Sequence, residues 1–300
     1  MQLLTLTNNN SPLLGGETHP VRWVPSQEEG CHAYGILLMD FISILLSSLL
    51  FIGSPIGFGL DTLAENAIRS RLEGVEDIQV RVDNGSNLNL LKGKINRLQV
   101  GVRGMYPIDG FRVAIADLDT DPIDLDFSNL RRGKVVLDEP LNSALHIVIT
   151  PEDLNQYLLS PEFTKRLNNI EINLGNAAQS REISRYQFSN PKATFLPDNR
   201  LQLELDLSDP SLGDGFKIKA QTGFTIENGH RLVLVDPQVS VNASEAPEQL
   251  LEAFTENLGD QLSLRRLEES GITTRILDAS INPEQFDLVM WVSIDPSFTQ

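Results

Sequence analysis

The chain has 300 residues, of which 41% are hydrophobic and 22% are charged. This composition is ordinary for a globular protein, and the length is ample for a real core. The net charge of −17 and the pI of about 4.6 argue against a nucleic-acid-binding protein, because such proteins carry basic surfaces. The single cysteine, Cys31, excludes an internal disulfide framework.

The N-terminal region divides into two segments. Residues 1–38 show no periodicity and are rich in Asn, Gly and Pro, which is typical of a disordered leader. Residues 41–60 contain no charge, and this length fits a bilayer span or the apolar part of an export signal. We therefore predict that translation starts at Met39, that residues 39–60 form an uncleaved anchor or interfacial helix, and that residues 61–300 form the folded domain. The alternative for residues 41–60 is a buried core helix.

Alternating apolar residues dominate the first half of the domain. Phe111, Val113 and Ile115 alternate with smaller or polar residues, and a second alternation over residues 145–149 runs into Thr150 and Pro151. Period-two alternation is typical of strands that bury one face. Thr followed by Pro is typical of a helix start. The stretch thus predicts an antiparallel sheet that leads directly into a helix able to cover its apolar face.

The second half repeats this arrangement weakly. Residues 201–207 alternate cleanly, Asn228-Gly229 marks a hairpin turn, and Val239 and Val241 lead through Ser244 into a predicted long helix. Both halves therefore predict strands followed by a covering helix, which amounts to two pseudo-repeats. We predict an α+β fold in which antiparallel sheet packs against amphipathic helices.

The residue types that serve catalysis and metal binding form no recognised motif in this sequence. The four histidines are scattered and lack the spacing of a zinc site or a catalytic triad. Asp117, Asp119 and Asp121 resemble the start of a calcium loop, but Pro122 occupies the glycine position. Alternating acids on the solvated face of a strand explain this run better. We predict no metal, no cofactor and no catalytic residue, and a hydrolase built from carboxylates remains as an alternative.

The order of the segments resembles the LmeA-like phospholipid-binding family of bacterial envelope proteins. The resemblance rests on an amphipathic helix AENAIRSRL (64–72), a strand VEDIQVRV (75–82), the segments LLKGKINRLQVGVRGM (90–105) and FRVAIADLDTDPIDLDF (111–127), and ITPEDLNQYL (149–158). It implies an elongated, curved antiparallel sheet that wraps helices and offers an apolar groove, similar to tubular lipid-binding domains. The implied function is phospholipid binding at or near a membrane.

We therefore predict a non-enzymatic protein that binds phospholipid or a membrane surface and serves envelope lipid maintenance or transfer. Its predicted location is a bacterial inner membrane or the periplasmic side, through residues 41–60. The stretch from Arg69 to Arg112 is locally basic, and its cations are predicted to meet the headgroup phosphate: Arg69, Lys92, Lys94, Arg97 and Arg103. The apolar stripe of the long helix is predicted to form the groove wall: Leu251, Phe254, Leu258 and Leu262. The alternative is a membrane-anchored protein-protein interaction module without bound lipid.

Overall fold

The computed structural model describes residues 65, 68–69, 72–83, 92–130, 132, 136–168, 187–208, 215–245 and 263–297. All of these residues belong to one compact unit. Its strands, in chain order, are β1 (Gly74–Asp83), β2 (Lys94–Ile95), β3 (Arg97–Ile108), β4 (Phe111–Thr120), β5 (Ile123–Asp124), β6 (Leu141–Ile149), β7 (Gln187–Leu196), β8 (Arg200–Ser208), β9 (Gly215–Glu227), β10 (Arg231–Val241), β11 (Ser244–Glu245), β12 (Ile272–Asn282) and β13 (Gln285–Ile294). Its helices are α1 (Phe127–Leu130), α2 (Pro151–Leu158), α3 (Pro161–Asn168) and a 3-10 helix (Leu264–Ser270).

The first sheet has six antiparallel strands in the order β1-β3-β4-β6-β13-β12. Its alternating apolar residues fall on one face across all six strands, as the aligned row Val100, Leu118, Leu145 and Met290 illustrates. Each of these four side chains is at most 3% exposed. The polar residues between them lie on the opposite face, as the two-residue period requires.

The second sheet has five antiparallel strands in the order β11-β10-β9-β8-β7. The hairpin turn predicted at Asn228-Gly229 is confirmed, since both residues have positive φ angles, 52° and 69°, and join β9 to β10. A third, two-stranded sheet pairs β2 with β5. Gly93, next to β2, has φ 79°, and its carbonyl accepts a backbone hydrogen bond from Leu125.

Helix α2 begins where the sequence predicts. Thr150 accepts a hydrogen bond from the backbone N–H of Asp153, and Pro151 opens the first turn, which satisfies one free donor at the helix start. The helix ends at Leu158, and Pro161 opens α3 three residues later. Tyr157 makes edge-on contacts with Phe111 of β4 and Phe163 of α3, at centroid distances of 5.1 and 5.4 Å. The two helices thus cover only part of the first sheet.

The apolar faces of the two large sheets meet. Phe224 of β9 and Phe286 of β13 lie edge to face with centroids 5.9 Å apart. At the same junction, Ile276 donates its backbone N–H to Gly229 O at 2.5 Å, and Ile281 donates to Asn199 Oδ1 at 2.7 Å. Strand β12, at the edge of the first sheet, therefore contacts turns of the second sheet.

The predicted α+β class is wrong. The described residues form mostly antiparallel β-sheet, with 66% strand, 16% helix and three sheets. The physical reason is that the strands are long, while α2 and α3 are only eight residues each, because the chain turns at Leu159–Ser160 before a new proline-led start. The described apolar layer consists chiefly of two sheets and not of a sheet wrapped around amphipathic helices.

Several predictions fall outside the described residues. These are the leader at 1–38, the anchor at 39–60 with the proposed start at Met39, and most of the long helix that would complete the second pseudo-repeat. The groove-wall residues Leu251, Phe254, Leu258 and Leu262 also lie outside the described residues. No helix among those described is long and apolar enough to cross a membrane.

Candidate functional site: a half-buried apolar strip

The apolar face of the second sheet has two parts that differ in burial. Near the first sheet, Ala193, Phe195 and Ala220 are 2%, 5% and 6% exposed, as expected for core residues. Farther from the junction, a row of six large apolar side chains is only partly covered, and none of the six belongs to the buried cluster of the described residues or to its packed surroundings. We call this row the distal strip; it consists of Leu205, Leu207, Phe216, Ile218, Val239 and Val241.

The register of the second sheet assembles the distal strip. Leu205 lies opposite Ile218, and Leu207 lies opposite Phe216. Ile218 lies in turn opposite Val241. Directly opposed residues of an antiparallel pair point to the same face, so residues from β8, β9 and β10 form one continuous surface.

A bulge in β10 brings the last strand into phase. The register shifts between Val235 and Gln238, where Asp236 has φ 44°. One extra residue reverses which side chains face the apolar side. Val235, before the bulge, is therefore on the opposite face and 38% exposed, whereas Val239 and Val241 after the bulge join the strip.

The partial exposure of the distal strip indicates what kind of partner it can bind. Phe216 is 39% exposed, and the other five residues are of intermediate burial. Clustered apolar side chains that stay partly open to water are typical of binding surfaces. A surface of this kind, without charge and continuous across three strands, can accept an apolar ligand or an apolar segment.

The five predicted headgroup cations do not belong to the distal strip. Arg97 and Arg103 alternate with the buried Leu98 and Val102 on β3, so they lie on the polar face of the first sheet, opposite its apolar face. Four of the five bind carboxylates: Arg69 to Glu65 at 2.9 Å, Lys94 to Asp124 at 2.6 Å, Arg97 to Asp119 through Nε at 2.6 Å, and Arg103 to Asp117 at 2.6 Å. Lys92 is exposed, and among the described residues it has no carboxylate partner.

The pKa values of three members of these ion pairs are shifted by their partners. The hydrogen bond to Asp119 raises the pKa of Arg97, and the same bond lowers the pKa of Asp119. The hydrogen bond to Asp124 raises the pKa of Lys94. Arg97, Asp119 and Lys94 are therefore charged at neutral pH, and each of the two cations binds a carboxylate.

A depression of about 520 Å³ lies on this polar face, with Gly101 and Ala144 among its lining residues. Its carboxylates are Asp117 and Asp119, which lie on the polar face of β4 as the sequence suggested. Both are bound by arginines, and His146 lies 3.2 Å from Asp287 and 3.9 Å from Asp117. Within the described ranges no group of three potential ligands could hold a metal ion.

The sequence prediction placed the groove wall on a helix stripe that lies outside the described residues, and the sequence also contained the signal for the distal strip. The alternation of Leu201, Leu203, Leu205 and Leu207 is visible in the sequence. The alternation does not reveal how far along the second sheet its apolar face is covered. The limit of that cover separates the buried part of the face from the partly exposed part. The groove-wall prediction for Leu251, Phe254, Leu258 and Leu262 remains a prediction.

A family model described as LmeA-like phospholipid-binding matches residues 54–289 of the chain. The chain belongs to the LmeA-like phospholipid-binding family. The match includes the whole second sheet with the distal strip, and all of the first sheet except the end of β13. Membership supports a lipid partner and lipid binding in general, and the family is defined by binding and not by a catalysed reaction. Neither the curated proteins nor the solved structures compared with this chain include a match.

Proposed function

We propose that this protein binds phospholipid at a bacterial membrane, with acyl chains lying on the distal strip, and acts without catalysis in envelope lipid maintenance or transfer. The observation that carries the proposal is the contrast along one sheet face. Its inner part is buried to 7% exposure or less at Ala193, Phe195 and Thr222, while Phe216 in its outer part is 39% exposed. Family membership supports phospholipid as the occupant.

Burial of acyl chains on the distal strip would lower the free energy of binding. Each methylene removed from water contributes about 0.8 kcal/mol, so a stretch of about ten methylenes gains roughly 8 kcal/mol before ordering costs are subtracted. The strip spans three strands, and strands in a sheet lie about 4.8 Å apart, which gives it the width to contact more than one chain. Val239 and Val241 would border the chains on one side, and Leu205 and Leu207 on the other.

For the headgroup we propose contacts from the cationic group named above. Lys92 is the first candidate because it is exposed and has no carboxylate partner within the described part of the chain. Arg69, Lys94, Arg97 and Arg103 would have to exchange a carboxylate for a phosphate, and phosphate is a strong acceptor for such donors. The exchange has a small free-energy cost, since these pairs are largely exposed and exposed pairs contribute little stability.

The decisive experiment uses the full chain purified from its host membranes. Native mass spectrometry and lipid extraction should show co-purified phospholipid at a fixed ratio to protein. After delipidation, the protein should take up fluorescent phospholipid from vesicles of phosphatidylcholine and of phosphatidylglycerol. Comparison of the two vesicle types separates the acyl-chain contribution, common to both, from the headgroup contribution.

Two results would overturn the proposal. One is the absence of phospholipid from the purified protein together with no uptake from either vesicle type. The other is uptake that is unchanged when the distal strip is made polar, because acyl chains must then lie elsewhere. The sequence-based alternative, an interaction module, predicts the first result.

A further inference from the structure

The polar face of the first sheet contains a depression of about 520 Å³, which we call the polar depression. The strand register arranges its central side chains in two neighbouring rows across β3, β4 and β6. One row consists of Gly101, Asp117 and His146, and the other consists of Gln99, Asp119 and Ala144. Directly opposed residues point to the same face of a sheet, so the two rows form one continuous surface.

Two small residues, Gly101 and Ala144, form the floor of the polar depression. A glycine in a strand interior weakens the strand and often marks a place where another molecule approaches closely. Gly101 lies in the interior of β3, yet it does not have a positive φ angle. Among the described residues, a Cβ added to Gly101 would meet only Asp117 Oδ1, at 3.3 Å, which is the end of a flexible side chain. Neither backbone geometry nor packing within the described residues therefore requires a glycine here, and its effect is an open floor.

Trp291 lies at one side of the polar depression. It is directly opposite Ala144 on the same face of the sheet, and it is only partly buried. Ala144 is exposed and is too small to cover an indole ring. An indole combines a broad apolar ring with a single N–H donor, so Trp291 offers a flat platform for the apolar face of a ligand ring.

The polar groups around the floor place hydrogen-bond donors beside acceptors. Gln99 Nε2 donates to Asp119 Oδ2 at 3.3 Å, and His146 Nε2 lies 3.2 Å from Asp287 Oδ1. An ionised carboxylate has about four acceptor positions, so Asp117 and Asp119 can accept further hydrogen bonds although arginines already bind them. A ligand hydroxyl group can both donate and accept, which suits this mixed set.

The charge of the lining separates the classes of polar ligand. Asp117 and Asp119 are each paired with an arginine, so this part of the lining carries little net charge. The chain as a whole carries −17, which disfavours a free anion. Within the described ranges no group of three potential ligands could hold a metal ion. A neutral ligand with several hydroxyl groups and one apolar ring face therefore fits the polar depression best.

We propose that the polar depression binds a neutral carbohydrate, with one sugar ring stacked on Trp291 and its hydroxyl groups hydrogen-bonded to Gln99 and Asp119. Asp117 and His146 bind the next part of the ligand, over the open floor at Gly101. The volume of about 520 Å³ lies within the range of small-molecule sites. The proposal does not depend on phospholipid binding, because the polar depression and the distal strip share no residue and lie on different sheets.

The fluorescence of Trp291 tests the proposal directly. The sequence contains one other tryptophan, Trp23, so the titration uses the full chain with Trp23→Phe, purified in a detergent without a sugar headgroup. The probes are neutral trisaccharides of glucose, galactose, mannose and N-acetylglucosamine, each added up to about 10 mM. At least one of them should shift the emission to shorter wavelength and reduce quenching by acrylamide, because a stacked sugar ring excludes water from the indole. Inorganic phosphate should not compete.

Substitutions in the same background test the location. Ala144→Leu fills the floor beside Trp291 and should weaken binding at least about tenfold. Thr225→Leu is the matched control, since it places the same side chain at an exposed strand position of the second sheet, and it should leave the affinity unchanged. Gln99→Ala removes a hydrogen-bonding group without filling the floor, and it should weaken binding by roughly threefold to tenfold.

Unchanged Trp291 fluorescence with all four sugars would overturn the proposal. So would sugar binding that Ala144→Leu and Gln99→Ala both leave unchanged, and so would competition by inorganic phosphate, which would indicate an anion site. Thermal unfolding of each variant checks that folding is retained, and Gln99→Ala keeps the test decisive if Ala144→Leu does not fold. Phospholipid uptake by Gln99→Ala should equal that of the unmodified chain, so failure of this proposal is distinguishable from failure of the lipid-binding proposal.

Discussion

Arg112 connects three elements through one side chain. It donates to Glu76 of β1 at 2.8 Å and to Asp153 of α2 at 3.0 Å, while it belongs itself to β4. The Asp153 side chain is 7% exposed, and the Glu76 side chain is 54% exposed. The buried carboxylate therefore depends on this guanidinium far more than the exposed carboxylate does.

The substitution Arg112→Ala should lower the free energy of unfolding by about 3 kcal/mol, because it leaves the buried Asp153 carboxylate without its cation. Urea denaturation measures this loss. Arg112→Ala combined with Asp153→Asn should recover part of it, whereas Glu76→Gln alone should have a smaller effect than Arg112→Ala. Equal effects of Arg112→Ala and Glu76→Gln would contradict the assignment of Asp153 as the dependent group.

Asp119 predicts a pH dependence with a definite sign. Arg97 lowers the pKa of Asp119 from its usual 3.8, so the folded state binds this proton less readily than the unfolded state does. The resulting stability is present above pH 3.8 and is lost as the pH falls through the lower folded pKa. Glu76, whose pKa Arg112 lowers, acts in the same direction.

Replacement of Arg97 by Gln should therefore flatten the acid limb of the stability profile. Urea midpoints measured between about pH 5 and pH 2 should fall less steeply for Arg97→Gln than for the unmodified chain. Arg265→Gln is a suitable control, since Arg265 is exposed and lies 3.9 Å from Glu268, away from Asp119. An identical acid limb in the Arg97 variant would contradict the role of the ion pair.

At the scale of elements, two asparagines close the edge of β7. Asn155 of α2 donates to Ala193 O at 2.8 Å and accepts from Ala193 N at 2.7 Å. Asn168 of α3 does the same for Phe188, at 3.2 and 2.8 Å. Each side-chain amide replaces one residue of a neighbouring strand, so the helices satisfy the edge backbone and also block strand addition.

The variant Asn155→Leu should lower the free energy of unfolding by about 1–3 kcal/mol, because Ala193 is buried and both of its backbone groups would lose their partner. It should also aggregate faster on mild heating, as light scattering would show. Asn155→Asp keeps the acceptor for the Ala193 N–H and loses the donor, so its stability should lie between those of Asn155→Leu and the unmodified chain. If Asn155→Leu and Asn155→Asp were equally stable, the amide would not satisfy both groups.

The sequence predicted local features well because their causes are local. The start of α2 at Thr150 and Pro151, and the hairpin at Asn228-Gly229, depend on a few adjacent residues with strong conformational preferences. Alternation also identified the leucines of β8 that share a face, whereas in β4 burial follows the predicted alternation only through Val113 and changes phase before Ala116. These features need no knowledge of the partner strand.

The features that the sequence did not reveal depend on partners distant in the chain. Alternation does not say that β6 pairs with β13, which lies more than a hundred residues later. The Arg97–Asp119 and Arg103–Asp117 pairs follow from the β3–β4 register, so the sequence displayed a basic stretch where the fold has neutralised pairs. The class was wrong because two sheets supply most of the described apolar layer.

At the scale of the whole molecule, one continuous apolar surface includes both a buried part and the proposed binding surface. The apolar face of the first sheet continues across Phe286 and Phe224 onto the second sheet. It is buried near that junction and half-exposed at the distal strip. Folding stability therefore depends chiefly on the inner part of this face, and the outer part contributes less to it. This separation predicts that polar substitutions in the strip affect binding more than folding.

Strand β10 offers a matched test, because its bulge places valines on both faces. Val239→Thr with Val241→Thr alters the distal strip, whereas Val233→Thr with Val235→Thr makes the same chemical change on the opposite face of the same strand. Each hydroxyl buried against an acyl chain without a partner costs about 1–3 kcal/mol, so the first variant should bind phospholipid at least about tenfold more weakly. The second variant should bind as the unmodified chain does.

Uptake of fluorescent phospholipid from vesicles measures both, and thermal unfolding of the delipidated proteins checks that folding is retained. Equal binding by the two variants would remove the distal strip as the acyl-chain site.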